Sequence, residues 1–190
     1  MLLVLSLLLA GVGVAIARSG GHPPTPLRVN NPIRVTVGEG CPRSIKGHDG
    51  IINPEPDHLD KVLAPSNPAK GLICRYTPLD GLQRAGIRYG VLYRSIPLTR
   101  AIAVRLAGDL DRIPPVPRGA VYSCPADFAQ YDILILAYGG HQDVDLQVSQ
   151  TGCRAINNGY VGRLDVSSQA GRFATDFDEV AGPTYRQPQR

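Results

Sequence analysis

The chain has 190 residues, 43% hydrophobic and 19% charged, with four cysteines. These values exclude a low-complexity disordered protein, a polytopic membrane protein and a knottin-like scaffold, and they leave room for one domain with a core of its own. The formal charge of +4 comes almost wholly from arginine, because Lys46, Lys61 and Lys70 are the only lysines; the arginines are scattered from Arg18 to Arg190 without a run or an interleaved aromatic ladder, so no nucleic-acid partner is expected.

Residues 1–17 read as a signal peptide: positions 2–16 carry no charge, and Ala15-Ile16-Ala17 offers small residues at the two positions a signal peptidase inspects. An apolar run of about 16 residues spans roughly 24 Å as a helix, short of a bilayer core. The alternative is an anchor that keeps residues 2–16, and that segment is then the expected contact with a membrane. Residues 18–32 hold Gly20-Gly21 and Pro23-Pro24-Thr25-Pro26 and are expected to be a flexible tether, with a single α+β domain over 33–182 and a polar tail over 183–190.

Within that domain, 33–37 alternates apolar and polar residues and predicts a short strand. Residues 38–68 are dense in Gly and Pro and predict a long surface loop pinned at Cys41. Strands follow at 71–76 and 87–96, the second with Ile87, Tyr89, Val91 and Tyr93 on a face expected to point to the core, and Arg88 and Arg94 opposite. Thr99 is the expected N-cap of a helix with Ile102, Leu106, Leu110 and Ile113 down one side, stopped by Pro114-Pro115. Residues 131–138 are apolar on both faces apart from Asp132 and predict a central strand. In the next strand Val144, Leu146 and Val148 alternate with Asp145, Gln147 and Ser149, which predicts an edge strand with its polar face in solvent. Asn158-Gly159 suits a type I′ hairpin turn. A last helix starts at Ser167 or Ser168, carries Ala170, Phe173, Ala174, Phe177 and Val180, and stops at Gly182-Pro183. The fold class is α+β, an antiparallel sheet with two helices, in two strand-strand-helix halves at about 41–113 and 121–182.

Four cysteines in an exported chain are expected to pair. Their gaps of 33, 50 and 29 residues do not suit a zinc site. Cys41 and Cys124 each precede proline, and Cys74 and Cys153 each precede arginine; this duplication favours sequential bridges, Cys41 with Cys74 and Cys124 with Cys153. Cys124-Pro125-Ala126-Asp127, the strand 133–138, Gly152-Cys153, Asn158-Gly159, Leu63-Ala64-Pro65 and Ile73-Cys74-Arg75-Tyr76 together resemble a group of uncharacterised exported, disulfide-containing proteins of high-GC Gram-positive bacteria. The resemblance covers about 41–180. It implies export, two disulfides and the repeat, and supplies neither a reaction nor a catalytic residue.

The sequence lacks a Gly-x-Ser-x-Gly elbow and both common glycine-rich phosphate loops, and no cofactor is expected. Candidate ligand-binding residues are His141, Asp143 and Asp145 at and beside the turn that follows the central strand, His48 and His58 in the long loop with Asp49, Glu55 and Asp57, and Arg75 and Arg154 as a pseudo-symmetric anion pair or two surface arginines. No metal site is expected: none of the histidines has the spacing of a metal-binding pair, and Asp176, Asp178 and Glu179 fall on the polar face of the last helix. The expected function is a secreted or cell-envelope binding module without catalysis, for an unidentified envelope or extracellular ligand. The alternatives are an extracellular hydrolase drawing on His48, Asp49, His58, His141 and Asp143, or a protease inhibitor presenting loop 38–70.

Overall fold

A computed structural model describes residues 35–46, 53, 59–78, 82–84, 87–125, 129–139, 143–165 and 171–184, with backbone alone at 82–84, 87–89 and Gly171. The leader, the tether, all four histidines and the expected start of the last helix lie outside the described residues.

The two strands apolar on both faces sit at the centre of the sheet. β2 (Lys70–Tyr76) and β5 (Tyr131–Ala137) pair antiparallel with Ile73 opposite Leu134 and Arg75 opposite Asp132. Alternate side chains of each strand enter opposite layers. Ile73, Leu134 and Leu136 pack under the helices, whereas Leu72, Cys74, Tyr76, Ile133 and Ile135 form a second cluster with Val35 and Ile45. The remaining strands, β1 (Ser44–Lys46), β3 (Leu82–Arg84), β4 (Ile87–Leu98), β6 (Val144–Ser149), β7 (Ala155–Asn157) and β8 (Gly162–Leu164), extend the sheet in the order β1-β4-β2-β5-β6-β7-β8, with β3 also on β4. Every pairing is antiparallel.

Helix α1 (Arg100–Arg112) begins at Thr99, whose side chain accepts from the Ile102 amide, and buries Ala103, Leu106, Ala107 and Leu110. Pro114 and Pro115 follow its last turn and cannot continue it. Helix α2 (Gly171–Ala181) buries Phe173, Phe177 and Ala181, the two rings 5.5 Å apart at a 36° tilt. Each buried ring contributes about 1.5–3 kcal/mol relative to an exposed one. α2 closes at Gly182, whose φ of +77° is costly for any other residue and whose amide returns to the Asp178 carbonyl over 2.8 Å. A Cβ there would meet the Arg94 guanidinium.

The α+β class, the antiparallel sheet, the two helices and the sequential disulfides Cys41–Cys74 and Cys124–Cys153 are those expected. The bridges do different jobs. Cys74 lies inside the central strand and ties down the 35–46 segment, whereas Cys153 follows β6 and holds the chain that enters β5.

Other expectations are corrected. Residues 35–37 are not a strand, because carboxylates rather than a neighbouring strand take their amides. The stretch 38–68 is more than a surface loop: Ser44–Lys46 pairs with β4, and Leu59, Leu63 and Ala64 are core. β6 is not an edge, since β7 pairs beyond it. Val91 and Tyr93 are each 37% exposed, because a bulge at Arg75/Tyr76 puts Leu92 opposite Tyr76 and Arg94 opposite Arg75, with Tyr93 the extra residue of the bulge and its ring centroid 5.9 Å from the Arg75 guanidinium. The turn at Asn158-Gly159 is not type I′. β7 and β8 are joined by the four residues 158–161, only Gly159 has positive φ, and the Asn158 carboxamide oxygen accepts from the amides of Tyr160 and Val161.

The Arg75–Asp132 ion pair is wholly buried, 0% exposed on both sides, with Nε 2.9 Å from Oδ2. Nη1 of Arg75 donates to the carbonyls of Ala181, Gly182 and Pro183, where α2 ends and its dipole is negative. Arg94 reaches the same Ala181 carbonyl at 3.1 Å from an exposed position. Arg75→Met leaves the Asp132 carboxyl buried without its cation, so that it must take up a proton or stay charged at a cost, and denaturant titration should show a loss of about 3–5 kcal/mol, against no more than about 1 kcal/mol for Arg94→Met. Reduction of both disulfides releases closed loops of 33 and 29 residues, which the chain-entropy account values at about 3–4 kcal/mol each. A melting temperature unmoved by complete reduction contradicts that account.

Candidate functional site

A wide opening forms where α1 stops. Pro114, Pro115 and Pro117 hold the chain extended away from the helix, and Gly119 turns it with the Ala120 amide on the Pro117 carbonyl at 3.1 Å. The segment then runs exposed to Cys124, with Val121 95% exposed and Tyr122 38%. The Cys124–Cys153 bridge pins this strip against the turn after β6, and Pro115 makes an antiparallel bridge to Arg163 on β8. The result is a cleft of about 590 Å³ with prolines and Tyr122 on one wall, and Arg154, Leu164 and Asp165 on the other. A shallower hollow of about 380 Å³ over β7 and β8 shares Val116 and Leu164 with it.

Both charged cleft residues are tied to α2. Arg154, in a left-handed conformation with φ +49°, donates through Nη2 to both carboxylate oxygens of Asp178 at 3.0 Å. Asp165 Oδ2 accepts from the Ala174 amide at 2.9 Å near the start of the helix, a favourable end for an anion. Burial pushes the Asp165 carboxyl up, while the Ala174 amide and Arg154 draw it down. The lining has hydroxyls on Tyr122 and Ser123 but no imidazole, lysine or free thiol beside them. Such a surface buries apolar groups and orients a ligand by a few polar contacts.

The residues singled out from sequence go elsewhere. His48, His58 and His141 lie outside the described residues, as do Asp49, Glu55 and Asp57. Asp143 accepts the Val37 amide at 2.8 Å through Oδ2. Asp145 does not face solvent: it is 2% exposed, its Oδ2 accepts the Val35 amide at 2.8 Å, and its backbone N–H and C=O are both taken by the Asn53 carboxamide. Ser149 is buried as well. The face expected to be wet is covered by the 35–46 segment, so these carboxylates position backbone. Arg75 and Arg154 do not form a symmetric anion pair. Arg75 is buried against Asp132, whose carboxyl burial pushes up to about 7 against the pull of Arg75 and the Tyr76 amide, and Arg154 is matched to Asp178. Asp176 is also buried rather than part of a solvated face. Among the described residues no group of three His, Cys, Asp or Glu side chains could hold a metal ion, and no helix is long and apolar enough to cross a membrane.

The cleft was missed because Pro114-Pro115 reads only as a helix stop. The available signal was the unusual run Pro114-Pro115-Val116-Pro117, followed by exposed apolar Val121 and Tyr122 before a cysteine. Comparison with protein-family models, with curated proteins and with solved structures gives no match.

Asp145→Ala leaves the Val35 amide without its acceptor, and urea titration should show a loss of about 1–3 kcal/mol together with faster amide exchange at Val35. Asp143→Ala, at a less buried bond, should cost less than about 1 kcal/mol.

Proposed function

We propose that the chain is a secreted or cell-envelope binding domain that acts without catalysis and takes its ligand in the cleft beside Cys124–Cys153. The carrying observation is an open, largely apolar cleft, fixed by a disulfide, whose described lining offers prolines and Tyr122 and contains no imidazole, lysine or free thiol. All four cysteines are bridged, which fits an oxidising compartment and removes a thiol nucleophile. Rigidity also supports the reading: prolines and a cross-link leave little conformational entropy to lose on binding. The ligand is an envelope or extracellular component that offers apolar groups to the prolines and Tyr122.

Two substitutions test the site. Tyr122→Ala and Val116→Asp alter exposed side chains and should shift stability by less than about 0.5 kcal/mol. Retention of the purified protein on separated cell-wall and membrane fractions should be clear for the parent and fall about tenfold or more for both variants, a change of about 1.4 kcal/mol. A parent that no fraction retains, or variants retained equally well, overturns the reading. Mass spectrometry of the secreted protein under non-reducing conditions should give a chain starting at Arg18 with no free thiol.

A further inference from the structure

The strip that walls the cleft is thinly held. All twelve residues 114–125 are exposed. Among the described residues they are fixed by the Pro115–Arg163 bridge, by the turn hydrogen bond from Ala120 to Pro117 at 3.1 Å, and by the Cys124–Cys153 disulfide. Arg118 and Gly119 stand at the tip of that turn, and among the described residues neither uses its amide or carbonyl in a hydrogen bond. The Arg118 guanidinium has no ion pair among them either. The space beside Gly119 is open, since a Cβ placed there would meet nothing within 4 Å.

Between 35 and 184 every lysine and arginine falls among the described residues, so this peptide bond can be compared with all the others that follow a cation. Outside helices and strands stand Arg43, Lys61, Arg118 and Arg154. The Arg43 carbonyl accepts the Leu92 amide, that of Lys61 accepts Arg163 Nη2, and that of Arg154 accepts the Asp165 amide. Arg118 has no such tie. Peptidases draw their substrate into an extended form, so a bond is cut at a rate set by how easily its surroundings open. Here prolines at 114, 115 and 117 already hold the preceding chain extended, and opening the tip breaks one turn hydrogen bond without disturbing the core. An exposed, unpaired guanidinium suits an enzyme whose primary pocket ends in a carboxylate, because that pairing is charge-assisted and bidentate.

We propose that Arg118–Gly119 is a proteolytic processing site, at which an arginine-specific endopeptidase converts the protein into a two-chain form that stays folded. Water adds to the Arg118 carbonyl carbon as the C–N bond to Gly119 breaks; Arg118 is left as a carboxylate and Gly119 as a protonated amine. No disulfide spans the cut, because Cys41–Cys74 lies before it and Cys124–Cys153 after it. Cohesion comes from other contacts that cross between the two pieces. Residues 70–75 of β2 pair with 132–137 of β5, Arg75 reaches Asp132 and the end of α2, and the Asn158 carboxamide holds the carbonyls of Leu59, Val62 and Leu63. On the cleft reading above, the cut unties the wall that carries Tyr122.

The test treats the full-length protein with a low ratio of trypsin under native conditions, setting aside cuts before residue 35 and after residue 184. Within those limits the first fragment seen by mass spectrometry should begin at Gly119, and it should form about tenfold or more faster than any other. Arg118→Gln should abolish that fragment and leave the melting temperature unmoved, as expected for an exposed side chain. The nicked protein should run as one species on gel filtration and part into two chains in denaturant without reductant. A first cut elsewhere in the range, a bond that stays whole, or pieces that separate without denaturant overturns the proposal. These readouts use no ligand, so they stand apart from the fate of the cleft.

Discussion

A charge buried at the centre of a sheet has to be met on every side, and Arg75 sets that condition for the whole molecule. Its guanidinium takes Asp132 from the neighbouring strand and the carbonyls of residues 181–183 from the end of α2. Gln150, just beyond β6, stands at 3.5 Å. One side chain therefore fixes which strand lies next to β2, in which register, and where the last helix must end. Buried pairs of this kind gain little stability over a well-packed apolar alternative, because desolvation of both ions offsets their attraction. What this pair supplies is geometry: a one-residue slip between β2 and β5 would turn Arg75 toward the layer of Cys74 and Tyr76 and leave it unpaired.

The same logic, with neutral groups, holds the irregular parts. Asn53 puts its carboxamide against both the amide and the carbonyl of Asp145, as a neighbouring strand would. Asn158 donates to the carbonyls of Leu59, Val62 and Leu63 while its own oxygen caps the β7–β8 turn. Asp143 and Asp145 take the amides of residues 37 and 35. The chain has no tryptophan and three phenylalanines, yet its long non-repetitive segments reach the core, because buried side chains satisfy backbone groups that would otherwise oppose burial.

The sequence was legible where one interaction dominated a segment. Ile102, Leu106 and Leu110 set the period of α1, Phe173 and Phe177 that of α2, and the doubly apolar 131–138 could only be central. It misled where a polar residue had a distant partner. Asp145 alternates with Val144 and Leu146 as a solvent-facing residue would, and the amide of Val35, 110 residues away, helps to make its burial tolerable. Val91 and Tyr93 follow a strand's period faithfully, but a bulge on the pairing register changed which face they occupy. Of the candidate site, the disulfide beneath it was readable from the Cys-Pro and Cys-Arg echoes. The cleft itself was not, since its opposite wall is contributed by residues 152–165, which no local pattern joins to 114–125.

The reach of Arg75 bears on how the protein is made. Its partners lie 57 and more than 100 residues further along the chain, so during synthesis the strand that carries it waits, unsatisfied, for almost everything else to appear. Contacts of such sequence separation form late and slowly. A chain emerging in order therefore leaves Arg75 short of its acceptors until residues 181–183 are available, and under the export proposed above, that delay would favour the extended form a narrow translocation channel accepts.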